Sequence, residues 1–146
     1  MYQQISLSRL LIGTKEIKMS IYQRYCNEEF DENGNLLNFE LEYPENFNFG
    51  YDIVDKIAEE TPDKRAIVWC NVENEEHIFT FDDVRRNSNK MANVFLANGI
   101  GKGDKVMLIL KRHYEYWFAA IALHKIGAVM IPATHMLTVV NIFICR

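Results

Sequence analysis

Residues 106–110 read VMLIL, residues 113–128 read HYEYWFAAIALHKIGA, and residues 128–133 read AVMIPA. An apolar run without alternation is the pattern of a strand buried on both faces of a parallel sheet. The middle segment is helical in composition, apolar almost all round, and closed by Gly127. Strand, helix, strand over this length is a βαβ unit, whose crossover is right-handed in nearly all proteins. The fold class expected is therefore α/β with a mostly parallel sheet.

The upstream segments fit that class. In YDIVDKIAEETPDK, Ile53, Val54, Ile57 and Ala58 recur at helical spacing, and the residue before Pro62 marks a stop. AIVWC (66–70) reads as a short buried strand, and HIFTF (77–81) as its hairpin partner across a polar turn. Thr80 is placed to cap the next helix, accepting from the N–H near Asp83, with Phe79 and Val84 as a hydrophobic staple. Phe81, Val84, Ser88, Met91 and Phe95 then form one stripe, which predicts packing.

NGIGKGDK (98–105) looks at first like a phosphate loop. A phosphate loop needs strand, glycines, then helix, so that N–H groups at the helix start face the anion. Here the order is helix, glycines, strand. Gly99 ends a helix, and Gly103-Asp104 turns the chain into the next strand.

Composition excludes some functions. The chain has 16 Lys and Arg against 20 Asp and Glu, a net charge of -4, which gives no footprint for nucleic acid. Residues 28–63 hold twelve carboxylates and one basic residue, Lys56, expected as a solvated surface. Cys26, Cys70 and Cys145 lack CxxC spacing, which predicts buried free thiols in a reducing cytoplasm. The apolar run from Trp117 to Ile131 carries His124 and Lys125 and is shorter than the ~20 residues a spanning helix needs, so no membrane partner is expected.

His113, His124 and His135 are spaced by eleven. On one helix, eleven residues separate two histidines by ~16 Å, too far for one metal ion. Lys111-Arg112 lies where ligands of open α/β sheets bind, at the end of a parallel strand, but it is read as solvated charge and not as a site. Asp82-Asp83 serve a helix start and Glu59-Glu60 a helix end, and no G-x-S-x-G elbow is present. Tyr114, Tyr116, Trp117 and Phe118 are assigned to core and interface packing. No catalytic, cofactor-binding or metal-binding residue is nominated.

The segments FNFGYDIVDKIAEETPDKRAIVW, FTFDDVRRNSNKMANVFLANGIGKGDKVMLIL and KRHYEYWFAAIALHKIGAVMIPATHMLT, in that order, resemble the start of AMP-forming acyl-CoA synthetases. The acetyl-CoA and medium-chain acyl-CoA branch is the nearest match, over about residues 47–138. The resemblance implies a large N-terminal α/β domain and a small mobile C-terminal domain. It also implies ATP and Mg²⁺ chemistry that joins a carboxylate to CoA through an acyl-adenylate.

The phosphate loop, the adenine and magnesium motifs and the catalytic lysine of that family lie downstream of the matched region. The expectation is therefore a truncated, inactive fragment that binds none of these cofactors by itself. The alternative is a noncatalytic α/β interaction domain, and a small nucleotide-binding module is a weaker third. The organisation expected is a leader outside the fold at 1–18, with Met19 as a second start, and an extended acidic and aromatic arm at 19–49. The start of the synthetase domain follows at 50–138 and a tail at 139–146. Open sheet edges and the tail LTVVNIFIC predict poor solubility and self-association through an exposed edge.

Overall fold

A computed structural model describes residues 20–137. The expected leader and tail, and Cys145, lie outside these residues. The chain divides into two compact units, residues 1–42 and 43–146.

In the first unit, a 3-10 turn (Ile21–Arg24) leads into an antiparallel hairpin, β1 (Cys26–Phe30) with β2 (Leu36–Leu41). The extended backbone expected of the arm is thus organised as a sheet ladder. Its turn is built by Asp31, whose Oδ1 accepts from the N–H groups of Asn33 and Asn35, each at 2.8 Å. Gly34 completes it at φ +82°, a conformation glycine adopts without penalty.

The second unit begins with a π-helical turn (Phe49–Asp55) that runs into α1 (Lys56–Glu60) and stops before Pro62. The antiparallel pair β3 (Arg65–Cys70) and β4 (Glu76–Thr80) follows. Next come α2 (Phe81–Ala97), β5 (Lys105–Leu108), α3 (Glu115–Ile126) and β6 (Val129–Pro132). β5 and β6 pair in parallel from Lys105 with Val129 to Leu108 with Pro132, so the βαβ unit is present.

Helix ends follow local chemistry. Thr80 Oγ1 accepts from the Asp83 N–H at 3.1 Å while Asp83 Oδ2 accepts from the Thr80 N–H at 3.0 Å, a complete capping box. At the other end, the N–H groups of Gly99 and Ile100 return to the carbonyls of Leu96 and Phe95, both at 3.0 Å, with Gly99 at φ +79°. This double return is a Schellman closure. Gly127 ends α3 in the same left-handed region.

The core is built around α3. Phe118 and Ile121 pack with Val54 and Val84, while Ala119 and Leu123 pack with Leu108 and, from α2, Met91 and Phe95. Residues on several sides of α3 are buried, which is why its sequence is apolar nearly all round. Burying one large aliphatic side chain such as Leu123, wholly inaccessible here, stabilises by roughly 1.5–3 kcal/mol.

Three expectations are corrected. β3 is not a buried strand, since its residues are half-buried or exposed, Val68 at 56%. β5 is not buried on both faces: Val106 and Leu108 pack toward α2 and α3, but Met107 is half-buried and Ile109 and Leu110 are exposed. The helices cover one side of this two-stranded pair and not the other. The thiols are not buried either. Cys26 is half-buried and Cys70 exposed, each at the end of a hairpin strand.

Candidate functional site

Because β5 and β6 run in parallel, the segments that leave them emerge side by side. Leu110 to His113 follow β5, and Thr134 and His135 follow β6. Together with Trp69 of β3 and with Tyr116 and Trp117 of α3 they line an open cleft of about 470 Å³. This is the end of a parallel sheet at which α/β proteins bind ligands.

The rim is held by specific bonds. Trp69 Nε1 donates to the Arg112 carbonyl at 2.5 Å, across 43 residues of sequence, and the His113 N–H donates to the Lys111 carbonyl at 2.6 Å in a tight turn. Behind the rim, Tyr114 packs edge-on against Trp69 at 5.4 Å and at a tilt against Phe79 at 4.8 Å, which ties the loop to the β3–β4 pair. Tyr116 and Trp117 meet edge-on at 5.4 Å.

Lys111, Arg112, His113 and His135 line the cleft, and among the described residues no carboxylate does. Lys111 and Arg112 bring positive charge to its rim, and three of its walls are aromatic side chains, Trp69, Tyr116 and Trp117. Such an arrangement favours a planar ligand carrying phosphate or carboxylate, with rings to stack on and cations to offset its charge.

Lys111 and Arg112 are exposed, as solvated charges are, but they stand on the cleft rim. Of the aromatic cluster, Phe118 is buried and Tyr114 packs against the core, whereas Trp117 is 53% exposed in the cleft. His113 and His135 line the cleft together, while His124 packs beside Phe49 at 5.8 Å. Among the described residues no three metal-ligating side chains converge. The grouping of Trp69, Arg112 and His135 was not visible in the sequence. The only available signal was the position of two polar segments just after two predicted parallel strands.

A second concavity of about 540 Å³ lies at the opposite end of α3, between Glu45–Phe49 and His124–Gly127. It is a packing seam. Asn48 caps the π-helical turn, its Oδ1 accepting from the Gly50 N–H at 2.9 Å, and its Nδ2 donates to the His124 carbonyl at 2.8 Å. Lys125, with no side-chain exposure, reaches Asp55 and Asn89 and lies 5.5 Å from the centre of the Tyr51 ring. Burial pushes the Lys125 ammonium below its ordinary pKa, and the bond to Asp55 offsets part of that shift.

A family model described as AMP-binding enzyme matches residues 54–142. The chain is 37% identical over 106 residues to the human mitochondrial acyl-coenzyme A synthetase ACSM3, covering 68% of this chain and 18% of that protein. It is 33% identical over 130 residues to the rat counterpart, covering 85% of this chain and 22% of that protein. The chain thus spans about a fifth of the length of these relatives.

Among solved structures, it resembles the Mycobacterium tuberculosis fatty acyl CoA synthetase with TM-score 0.58 and 28% identity, over 66% of this chain and 19% of that one. It also resembles the Klebsiella oxytoca NpsA N-terminal subdomain in complex with 3-hydroxyanthranilyl-AMSN, with TM-score 0.57 and 29% identity, over 63% of this chain and 22% of that one.

Proposed function

Because this chain belongs to the AMP-binding enzyme family, we propose that residues 50–138 are the opening α/β layer of an AMP-forming acyl-CoA synthetase. That class converts a carboxylate, ATP and CoA to acyl-CoA, AMP and diphosphate. Within it, the chain supplies scaffold and one ligand surface. The cleft at the ends of β5 and β6 receives a phosphorylated, ring-bearing ligand, a description that both CoA and ATP satisfy.

The observation that carries this reading is the placement of Lys111, Arg112, His113 and His135 on an aromatic cleft that no carboxylate lines among the described residues. Removing charge from one such rim residue weakens a phosphate contact, since charge-assisted bonds are about twice as strong as neutral ones. The chain's two tryptophans, Trp69 and Trp117, both line the cleft, so its intrinsic fluorescence reports on that site. Titration with CoA, ATP and inorganic phosphate should give a saturable change with at least one nucleotide, reduced in Arg112→Ala. No change with either nucleotide at millimolar concentration excludes the cleft as their site.

Among the described residues no glycine-rich loop stands between a strand and a following helix, so the proposal places the grip on the departing diphosphate outside them. The chain alone is therefore expected to support no ATP–diphosphate exchange. Formation of acyl-adenylate by this polypeptide without another would overturn the scaffold reading. The unpaired Cys26 and Cys70 fit a reducing compartment, which is the corresponding proposal for location.

A further inference from the structure

The cleft at the ends of β5 and β6 carries two kinds of basic side chain. Lys111 and Arg112 are permanent cations at neutral pH, whereas His113 and His135 are imidazoles, and all four are exposed. An imidazole ordinarily gains its proton near pH ~6.5, so it can respond to a ligand's charge as well as meet it. His113 is placed by its backbone, whose N–H donates to the Lys111 carbonyl and whose carbonyl accepts from the Tyr116 N–H at 3.3 Å. Among the described residues neither imidazole has a hydrogen-bond or ring partner.

The loop after β5 adds Lys111 and Arg112 as the charged neighbours of these rings, and the segment after β6 adds the neutral Thr134. From α3 come Tyr116, which lines the cleft, and Glu115, which does not and whose Oε2 is buried without a hydrogen-bond partner. From β3 comes Trp69, with His77 of β4 and Tyr114 packed against it at 5.6 and 5.4 Å. A charged imidazole in this cleft thus finds two cations beside it and, among the described residues, no lining carboxylate. A bound anion is what would stabilise it.

We infer that His113 and His135 make this cleft select a dianionic phosphate group over a carboxylate, by taking up protons from solvent as the ligand binds. The inference rests on the proposed reading of the cleft as an anion site and adds which anion it takes. The proposed reaction presents both kinds, a carboxylate and phosphorylated reactants. A carboxylate carries one charge on two oxygens, which the guanidinium of Arg112 alone can meet bidentately. A phosphate group carries close to two charges at neutral pH and three acceptor oxygens, which leaves acceptors for imidazolium N–H donors. The second charge also draws protons onto the rings more strongly than a single one does. Linkage is reciprocal, so a ligand that draws protons onto the cleft binds more tightly as pH falls.

The test follows the fluorescence of Trp69 and Trp117 in the full chain at fixed ionic strength. Sulfate stands in for the phosphate group as a dianion that does not itself titrate, and acetate is the carboxylate. From about pH 8 to about pH 6, on either side of the ordinary imidazole value, sulfate should bind at least about fivefold more tightly and acetate less than about twofold. Calorimetry in buffers of different ionisation heat should show proton uptake with sulfate. His113→Gln and His135→Gln, both at exposed positions, should each reduce the change, and the double variant should abolish it. A flat sulfate profile, an equal gain for acetate, or the full gain retained in the double variant would overturn the inference, as would the lack of saturable sulfate binding at either pH. A cleft that binds sulfate in this way but neither nucleotide would remove the nucleotide reading and keep the selection of dianions. A cleft that binds a nucleotide without proton uptake would do the reverse.

Discussion

The ammonium of Lys125 lies 2.6 Å from Asp55 Oδ1 and 2.7 Å from Asn89 Oδ1, with its side chain wholly buried. One cation on α3 thereby ties the end of the π-helical turn to the middle of α2. Removing one member of a buried pair leaves the other charge uncompensated, which costs roughly 3–5 kcal/mol. Asp55→Ala should lose that much in urea unfolding. Lys125→Met should lose less, because Asp55 keeps some contact with solvent at 14% exposure. An Asp55→Ala loss of less than about 1 kcal/mol would mean that the pair contributes no more than a surface contact.

The same lysine makes a pH prediction. Burial is the largest cause of its shift and moves its pKa below the ordinary 10.5. The unfolded chain then holds a proton that the folded chain releases in the window below 10.5, so this group's contribution to stability rises with pH across that window. The unfolding free energy of the native chain minus that of Lys125→Met should grow as pH approaches 10.5 at fixed salt. A flat or falling difference would contradict the depressed pKa.

Gly50 is required by this tie. A Cβ there would stand 2.6 Å from Lys125 Cγ and 3.3 Å from the Ile121 carbonyl oxygen, and Cγ is near the root of a side chain pinned at its far end. Gly50→Ala is expected to cost about 1–3 kcal/mol, the usual range for overpacking. The cost should shrink in a Lys125→Ala background, where the nearest atom is gone. Additive losses in the double variant would place the strain elsewhere.

The capping box of α2 predicts acid sensitivity. The Thr80 N–H, first, and then Arg86 hold the Asp83 carboxyl below its ordinary 3.8. Stability from a depressed carboxylate is present above its unfolded pKa and is lost as pH falls through the folded value. Thr80→Ala and Asp83→Ala should each cost about 1 kcal/mol at neutral pH, with the double variant costing less than the sum. The gap between the native chain and Asp83→Ala should close below pH 3.8 in thermal melts.

Features encoded within a few residues were legible in the sequence. Thr80 with Asp83, Gly99 after α2, Gly127 after α3 and the strand–helix–strand order of 105–132 each follow from local spacing, and each is present. Features made by distant pairs were not. Lys125 read as a charge interrupting an apolar run, because its partners stand 70 and 36 residues away. The hairpin read only as extended backbone, since its acidic residues mask the alternation on one strand. The cleft needed the parallel pairing of β5 with β6 before His113 and His135 could be seen to share a site.

Trp69 offers a test that separates loop position from fold. Its Nε1 donates to the Arg112 carbonyl at 2.5 Å, and its ring packs against Tyr114. Trp69→Phe keeps a six-membered ring in that place and deletes the donor together with the smaller ring that carries it. The Arg112 backbone is exposed and can bond to water instead, so the stability loss should stay within the ~0.5–1.5 kcal/mol of a neutral hydrogen bond. The loop, however, loses the bond that fixes where Lys111 and Arg112 stand, and a mobile cation must be ordered again on each binding event. Under the proposed function, affinity for the responding nucleotide should fall several-fold in Trp69→Phe, read from the remaining fluorescence of Trp117 or by calorimetry. Thermal stability should change little. Unchanged affinity would show that the rim does not depend on this bond, and a collapse in stability would assign Trp69 to the core.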